Sequence, residues 1–131
     1  MKVVKVVAAV ISRDNQIFAT QRGYGDFKGG WEFPGGKLEE GEKDEQALVR
    51  EIREELDIWV EVGDLAGTVE YDYPKFHLPM NCYWCTCREG EIKLLEAMDG
   101  RWLNVEDIDT VDWLPADITL VKRIKEILLQ K

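Results

Sequence analysis

Gly36-Lys37-Leu38-Glu39-Glu40-Gly41-Glu42-Lys43-Asp44-Glu45-Gln46-Ala47-Leu48-Val49-Arg50-Glu51-Ile52-Arg53-Glu54-Glu55-Leu56-Asp57-Ile58 is the stretch on which the reading of this chain turns. It holds nine carboxylates and four cations, a balance of −5 in 23 residues of a chain whose formal charge is −9. So concentrated a charge repels itself unless something offsets it. A solvated helix face laced with ion pairs is one explanation. The spacing points to another. From about Lys43 to Leu56 there is no Gly or Pro, and Glu, Gln, Ala, Leu and Arg dominate, which predicts a helix. At about 100° per residue, Leu48, Val49, Ile52 and Leu56 share one face, while Glu51, Glu54 and Glu55 crowd an adjoining arc of about 100°. Three carboxylates so close raise one another's pKa unless a cation collects them. All-oxygen donors select a hard ion, Mg²⁺ or Mn²⁺.

Immediately before this stretch stands Trp31-Glu32-Phe33-Pro34-Gly35. The glycine pair Gly35-Gly36 lets the backbone turn tightly and bring a bare carbonyl or N–H against a metal or phosphate. Most such pairs are only turns; the glutamate-rich helix that follows gives this one its meaning. The rest of the composition bounds the ligand. The chain has 131 residues, with 26 acidic and 17 basic side chains and one histidine. That length suits one domain, 1–131, able to bury a core without disulfide or metal staples. Apolar residues make up 45% and charged residues 33%, the balance of a soluble globular protein. No apolar run approaches the roughly 20 residues of a membrane span. The opening Met1 to Ile11 resembles a signal peptide in outline. Lys5 breaks it, however, and Ser12-Arg13-Asp14 offers no small-residue cleavage site, so a first strand is expected. Three cysteines cannot all pair within one chain and nothing points to secretion, which suggests a reducing cytoplasm. The acid excess argues against a nucleic-acid duplex as partner, because no surplus of Lys and Arg exists to replace its counterions. A small phosphorylated ligand remains open to it, provided divalent metal sits between the two negative parties.

Val3 to Ile11, almost continuous in β-branched residues and alanine, predicts a strand buried on both faces. Arg13-Asp14-Asn15 predicts a turn into a second strand, Gln16 to Arg22. Residues 23–30, with four glycines, read as a loop that either flanks substrate or is plain surface. After the helix, 58–62, 67–73 and 81–88 read as strands. Trp102-Leu103 ends a short strand and leads, with Asn104 as N-cap, into a turn of helix over 105–108. Residues 118–130 predict a closing amphipathic helix with Leu120, Val121, Ile124, Ile127 and Leu128 on one side. Cys82, Cys85, Cys87 and His77 are the residue types of a zinc site. On a strand Cys82 faces away from the other two, so they read instead as small packed residues. His77, between Pro74 and Pro79, reads as a structural or rim residue rather than a base.

Gly36, five residues, Glu42, seven residues, then Arg50-Glu51-Ile52-Arg53-Glu54-Glu55-Leu56-Asp57-Ile58 resembles the Nudix box, G-x5-E-x7-R-E-U-x-E-E-x-G-U with U aliphatic. One defined position departs from it. Asp57 stands where the family usually has Gly, a helix end in the left-handed conformation that Asp tolerates better than most residues. The Glu32 to Lys37 run and Leu114-Pro115-Ala116-Asp117-Ile118 are similar to the MutT-like branch, which contains oxidised-nucleotide sanitising enzymes and CTP pyrophosphohydrolases. The resemblance implies an α/β protein with the Nudix fold, a mixed β-sheet sandwiched between α-helices. It implies Mg²⁺- or Mn²⁺-dependent hydrolysis of a nucleoside triphosphate (8-oxo-dGTP, CTP or an oxidised dCTP) to monophosphate and pyrophosphate.

Metal ligation, by the same resemblance, falls to the Gly35 carbonyl with Glu51, Glu54, Glu55 and the loop residue Glu96. Glu51 is the expected general base, a role that family members give to different glutamates. Arg50 is expected to orient the glutamates by bidentate pairing. Arg22 and Lys37 match phosphate contacts, and Asp117 and Glu32 match contacts to the base or ribose. An ionised Asp117 only accepts hydrogen bonds, which suits the N1–H and N2–H₂ of a guanine or the N4–H₂ of a cytosine; alternatively it caps the last helix. The expected partner is a small-molecule nucleotide, with no duplex and no membrane, and the protein a monomer or weak homodimer. Hydrolysis of ADP-ribose, dinucleoside polyphosphates or sugar nucleotides is the rival within the enzyme class. A non-catalytic nucleotide sensor is the rival outside it, and the complete set of box glutamates argues against that.

Overall fold

The β-branched run at the start of the chain forms strands, interrupted once. The computed structural model describes residues 2–130. In it β1 (Lys2–Val3) and β2 (Val6–Arg13) follow one another along β7 (Phe76–Glu89), both pairing with it in parallel. A two-residue turn with Asp14 and Asn15 at φ 51° and 64° leads into β3 (Gln16–Gln21), as a tight hairpin requires. β3 pairs with β4 (Trp31–Glu32) and β8 (Asp99–Leu103), both antiparallel. β5 (Gly35–Lys37) lies antiparallel to β2, with Gly36 opposite Val7 and Gly35 opposite Ala8. β6 (Trp59–Tyr73) completes the mixed sheet as the long antiparallel partner of β7.

Two helices cover the two faces. Along β2 the side chains alternate: Val7, Ala9 and Ile11 pack with Leu48, Ile52 and Leu56 of α1 (Asp44–Leu56). Ala8 and Val10 pack with Leu120, Val121, Ile124 and Leu128 of α2 (Pro115–Leu129). A strand buried on both faces has no polar side to show, and that is why its sequence is a continuous apolar run. The expected sandwich of sheet between helices is what forms. Among the described residues no helix is long and apolar enough to cross a membrane.

Several boundaries differ from the sequence reading. The strands expected at 58–62 and 67–73 are one strand, β6, because Gly63 and Gly67 fall in or beside register shifts rather than turns. β7 begins at Phe76, five residues before the expected start, and takes in Pro79. The last helix begins at Pro115, not 118, since proline at the first helical position has no N–H to lose. Asp117 is therefore inside the first turn and does not cap it. The helical turn expected at 105–108 is a pair of hydrogen-bonded turns, Asp107 N–H to Asn104 O and Thr110 N–H to Asp107 O. Cys82 and Cys85 lie in the opposite packing layers, as alternation on β7 demands, and Cys87 is exposed.

Candidate active site

α1 carries the glutamates, and its geometry follows from how both ends are held. Asp57, after its last turn, has φ 56° and ψ 37°, the left-handed conformation expected of it, and its N–H bonds to Arg53 O. Its negative charge, unfavourable at a helix C-terminus, is met by Arg53 Nη2 at 3.6 Å and Lys93 Nζ at 3.5 Å. The residues after Leu56 also take up the helix's free carbonyls. Lys93 N–H donates to Leu56 O at 2.9 Å and Leu95 N–H to Glu55 O at 3.0 Å. Glu96 follows directly, and its charge acts on Glu51 and Glu55 from this loop.

The diglycine is required by close approach on both sides. A Cβ at Gly35 would lie 2.0 Å from Val7 O, and one at Gly36 would lie 2.4 Å from the Glu51 carboxyl carbon. β5 thus fits between β2 and α1 only as bare backbone. Gly35 N–H donates to Glu55 Oε2 at 3.0 Å. Arg50 does more than the expected pairing. Its Nε and Nη2 grip Glu42 at 2.8 and 2.9 Å, Nη1 bonds Glu51 Oε1 at 2.8 Å, and Nη2 also donates to Lys37 O at 3.0 Å. Hydrogen bonds from Arg50 and from Glu39 N–H hold the Glu42 carboxyl down at about 2. Glu42 is thus the residue whose importance sequence reasoning missed: it anchors the arginine that orients Glu51. Its fixed place in the box was the available signal.

Arg22, Glu32, Gly35, Lys37, Glu51, Glu55, Glu96 and Asp117 line one cavity of about 550 Å³. Arg50 and Glu54 stand outside it, Glu54 with its side chain 54% exposed and Oε2 3.5 Å from Arg50 Nη1. Burial first, then the neighbouring Glu96, Glu51 and Glu32, push the Glu55 carboxyl up to about 9 against the hydrogen bond from Gly35 N–H. Burial likewise raises Glu51, against the pull of Arg50. These are acids in want of a cation, and their oxygen-only donor set suits a hard divalent ion. Among the described residues no three acidic, histidine or cysteine side chains converge closely enough to hold an ion by themselves. A metal here would draw in Glu51, Glu55 and Glu96 with the help of backbone and water oxygens.

The remainder of the cavity has a different chemistry. Asp117, 4% exposed, accepts the Phe33 N–H on Oδ1 at 3.3 Å. Burial first and Glu32 second push its carboxyl up to about 8. A carboxyl raised in this way favours the protonated form, which can donate as well as accept, over the ionised form that only accepts. Phe33 stacks on Trp113, and Tyr73 on Phe76, at ring distances of 4.9 and 5.0 Å. Arg22 is held by Glu32 in a two-point pair, Nη2 to Oε1 at 2.7 Å and Nε to Oε2 at 3.0 Å. Glu32 bears on both Glu55 and Asp117, so it stands between the carboxylates and the aromatic part of the cavity.

A family model described as NUDIX domain matches residues 6–123. The chain belongs to the Nudix family. This Nudix chain is 33% identical over 130 residues to the 8-oxo-dGTP diphosphatase of Escherichia coli (strain K12), covering 97% of this chain and 100% of the relative. It is 36% identical over 123 residues to the CTP pyrophosphohydrolase of the same strain, covering 93% and 91%. Among solved structures, the E. coli ORF135 protein superposes with a TM-score of 0.85 at 32% identity, over 100% of this chain and 94% of that one. Nudix hydrolases generally need a divalent metal, in keeping with the donor set above.

Proposed function

We propose that this Nudix hydrolase is a Mg²⁺-dependent nucleoside triphosphate pyrophosphohydrolase of the MutT type, acting on 8-oxo-dGTP or on CTP and oxidised dCTP. One observation carries the reading: a single cavity joins an uncompensated group of carboxylates to an aromatic-lined compartment containing a buried acid. The first part suits a metal-bound polyphosphate and the second a base with hydrogen-bonding edges. Relatives named for 8-oxo-dGTP and for CTP agree with that division.

Bound divalent ions would neutralise the polyphosphate and acidify an attacking water. Glu51, Glu55 and Glu96 would hold them, with Gly35 supplying bare backbone. Arg50 fixes one oxygen of Glu51 and leaves Oε2 to take the proton of the water. Lys37, on the cavity wall, meets phosphate oxygens as a point charge. Arg22 does the same by exchanging Glu32 for phosphate. The freed Glu32 and the buried Asp117 then face the base. Catalysis rests on positioning and charge stabilisation rather than on a covalent intermediate.

The test is hydrolysis of 8-oxo-dGTP, dGTP, CTP, dCTP, 5-hydroxy-dCTP and ADP-ribose with Mg²⁺ or Mn²⁺, with and without chelator, the products separated by chromatography. Chelator-sensitive release of monophosphate and pyrophosphate, strongest for one base, is the expected result. Turnover of ADP-ribose alone would overturn the triphosphate reading.

A further inference from the structure

Two segments far apart in the chain meet as bare backbone on the cavity wall. β3 runs on through Arg22 and Gly23, the loop after α1 delivers Glu96 and Ala97, and all four residues line the cavity. A Cβ on Gly23 would stand 3.1 Å from Glu96 O, 3.2 Å from Met98 N and 3.5 Å from Met98 Cβ. Non-bonded heavy atoms pack best at about 3.5–4.0 Å, so an added carbon requires one side to yield by a few tenths of an ångström. The φ of Gly23 is not positive, unlike those of Gly25 and Gly29 at 72° and 92°. Its backbone could accept another L residue, and closeness to the Glu96 segment is what calls for glycine here.

Neither side is free to yield. Leu95 N–H is bonded to Glu55 O and Met98 N–H to Gln21 O, both at 3.0 Å, so Glu96 and Ala97 span the gap between two anchored residues. Arg22 is bound through both of its backbone groups, N–H to Gly30 O at 2.9 Å and O to Gly29 N–H at 2.8 Å. Its guanidinium is held in turn by Glu32 and by Asp26 O. Strain introduced at Gly23 therefore falls on the short span that contains Glu96. The Glu96 side chain is exposed, so its approach to Glu51 and Glu55 depends on where its backbone lies. We propose that Gly23 is a positioning residue for the metal site: its missing side chain lets the Glu96 backbone lie where the carboxylate can join Glu51 and Glu55 around one ion. This deepens the metal-dependent reading and rests on Glu96 being a ligand. Metal–ligand distances hold to within about 0.2 Å, less than the displacement that a Cβ at position 23 demands.

Mn²⁺ is the probe, its binding to the nucleotide-free protein read from the paramagnetic resonance of the unbound ion. Gly23→Ala is expected to bind Mn²⁺ about tenfold more weakly than the parent chain, the scale on which disturbing a ligand's support acts. Gly63→Ala is the control: its Cβ would meet Trp84 O at 3.2 Å, a similarly tight contact on β6 outside the cavity lining, and Mn²⁺ affinity is expected to stay at the parent value. Glu96→Gln is expected to weaken binding as well. The double variant Gly23→Ala/Glu96→Gln should then bind no more weakly than Glu96→Gln alone, because both changes act through one carboxylate. Parent-like affinity in Gly23→Ala, an equal loss in Gly63→Ala, or additive losses in the double variant would overturn the positioning role and leave Glu96 a ligand. Undiminished affinity in Glu96→Gln would overturn the ligand, and the role of Gly23 with it. Gly23-dependent Mn²⁺ binding in a chain that hydrolyses no triphosphate would keep the positioning role and overturn the pyrophosphohydrolase reading alone.

Discussion

Asp117 is 84 positions from Phe33 in the chain, yet the Phe33 N–H on Oδ1 is the one hydrogen bond that its buried carboxyl makes to a described residue. Water is excluded and Glu32 is near, so its folded pKa of about 8 stands well above the ordinary value of 3.8. A folded state that holds a proton the unfolded chain releases loses stability as pH rises. The contribution of Asp117 is whole below about pH 4 and declines as the solution passes toward pH 8. Asp117→Asn, neutral at every pH, is expected to raise Tm at pH 8 and flatten the Tm-against-pH curve of the metal-free protein above pH 5. An unchanged curve by scanning calorimetry would mean that the acid is already ionised at neutrality. The sequence pattern marked Asp117 as a base contact but gave no means to see its protonation state, which depends on packing from α2, β4 and the following turn. The Arg22 to Glu32 pair was likewise illegible, since a loop of variable course separates two residues ten apart. The box glutamates were legible because their spacing is internal to one helix.

At the scale of elements, the start of α1 is held by an unexpected device. Lys43 occupies the N-cap with no side-chain bond to the helix's own amides. The first helical residue, Asp44, instead reaches the sheet: its Oδ2 accepts Tyr83 OH at 2.5 Å and Asn81 Nδ2 at 2.9 Å, both from β7. Thr68 of β6 in turn donates to Asn81 Oδ1 at 3.1 Å. Tyr83→Phe removes the phenolic bond to a charged acceptor and is expected to cost about 1–2 kcal/mol of stability by chemical denaturation. Asp44→Ala, which loses both bonds, should cost more than Tyr83→Phe; equal costs would place the bond to Asn81 at zero. No local pattern announces a contact between residues 39 apart. The helix itself was readable from its lack of Gly and Pro, whereas β6 was read as two strands because Gly63 and Gly67 look like breaks in one dimension and are bulges in two.

Over the whole molecule the dominant quantity is charge. Residues 36–58 hold −5 of the formal −9, and Glu51 and Glu55 are raised by burial and by neighbouring carboxylates that a cation would relieve, so a divalent ion should stabilise the fold as well as serve the chemistry. At a concentration 100 times its dissociation constant, an ion that binds only the folded state adds about 2.7 kcal/mol. The expected signature is a Tm that climbs with Mg²⁺ and falls back on adding chelator. Glu55→Gln should abolish most of that increment and several orders of magnitude of turnover, while its metal-free Tm at pH 8 matches or exceeds that of the parent chain. Turnover near the parent value would rule out a metal role for Glu55. The loop that delivers Glu96 also sets a limit on how this chain tolerates change in length. Leu95 is fastened to the last turn of α1 and Glu96 is the next residue, so the carboxylate hangs on a tether one residue long. Residues added ahead of Lys93 leave that tether as it is. A single residue added between Leu95 and Glu96 shifts the carboxylate by about 3.5 Å, more than the length of the bonds that it must make. Insertions in this loop are thus tolerable on one side of a fixed point and ruinous on the other.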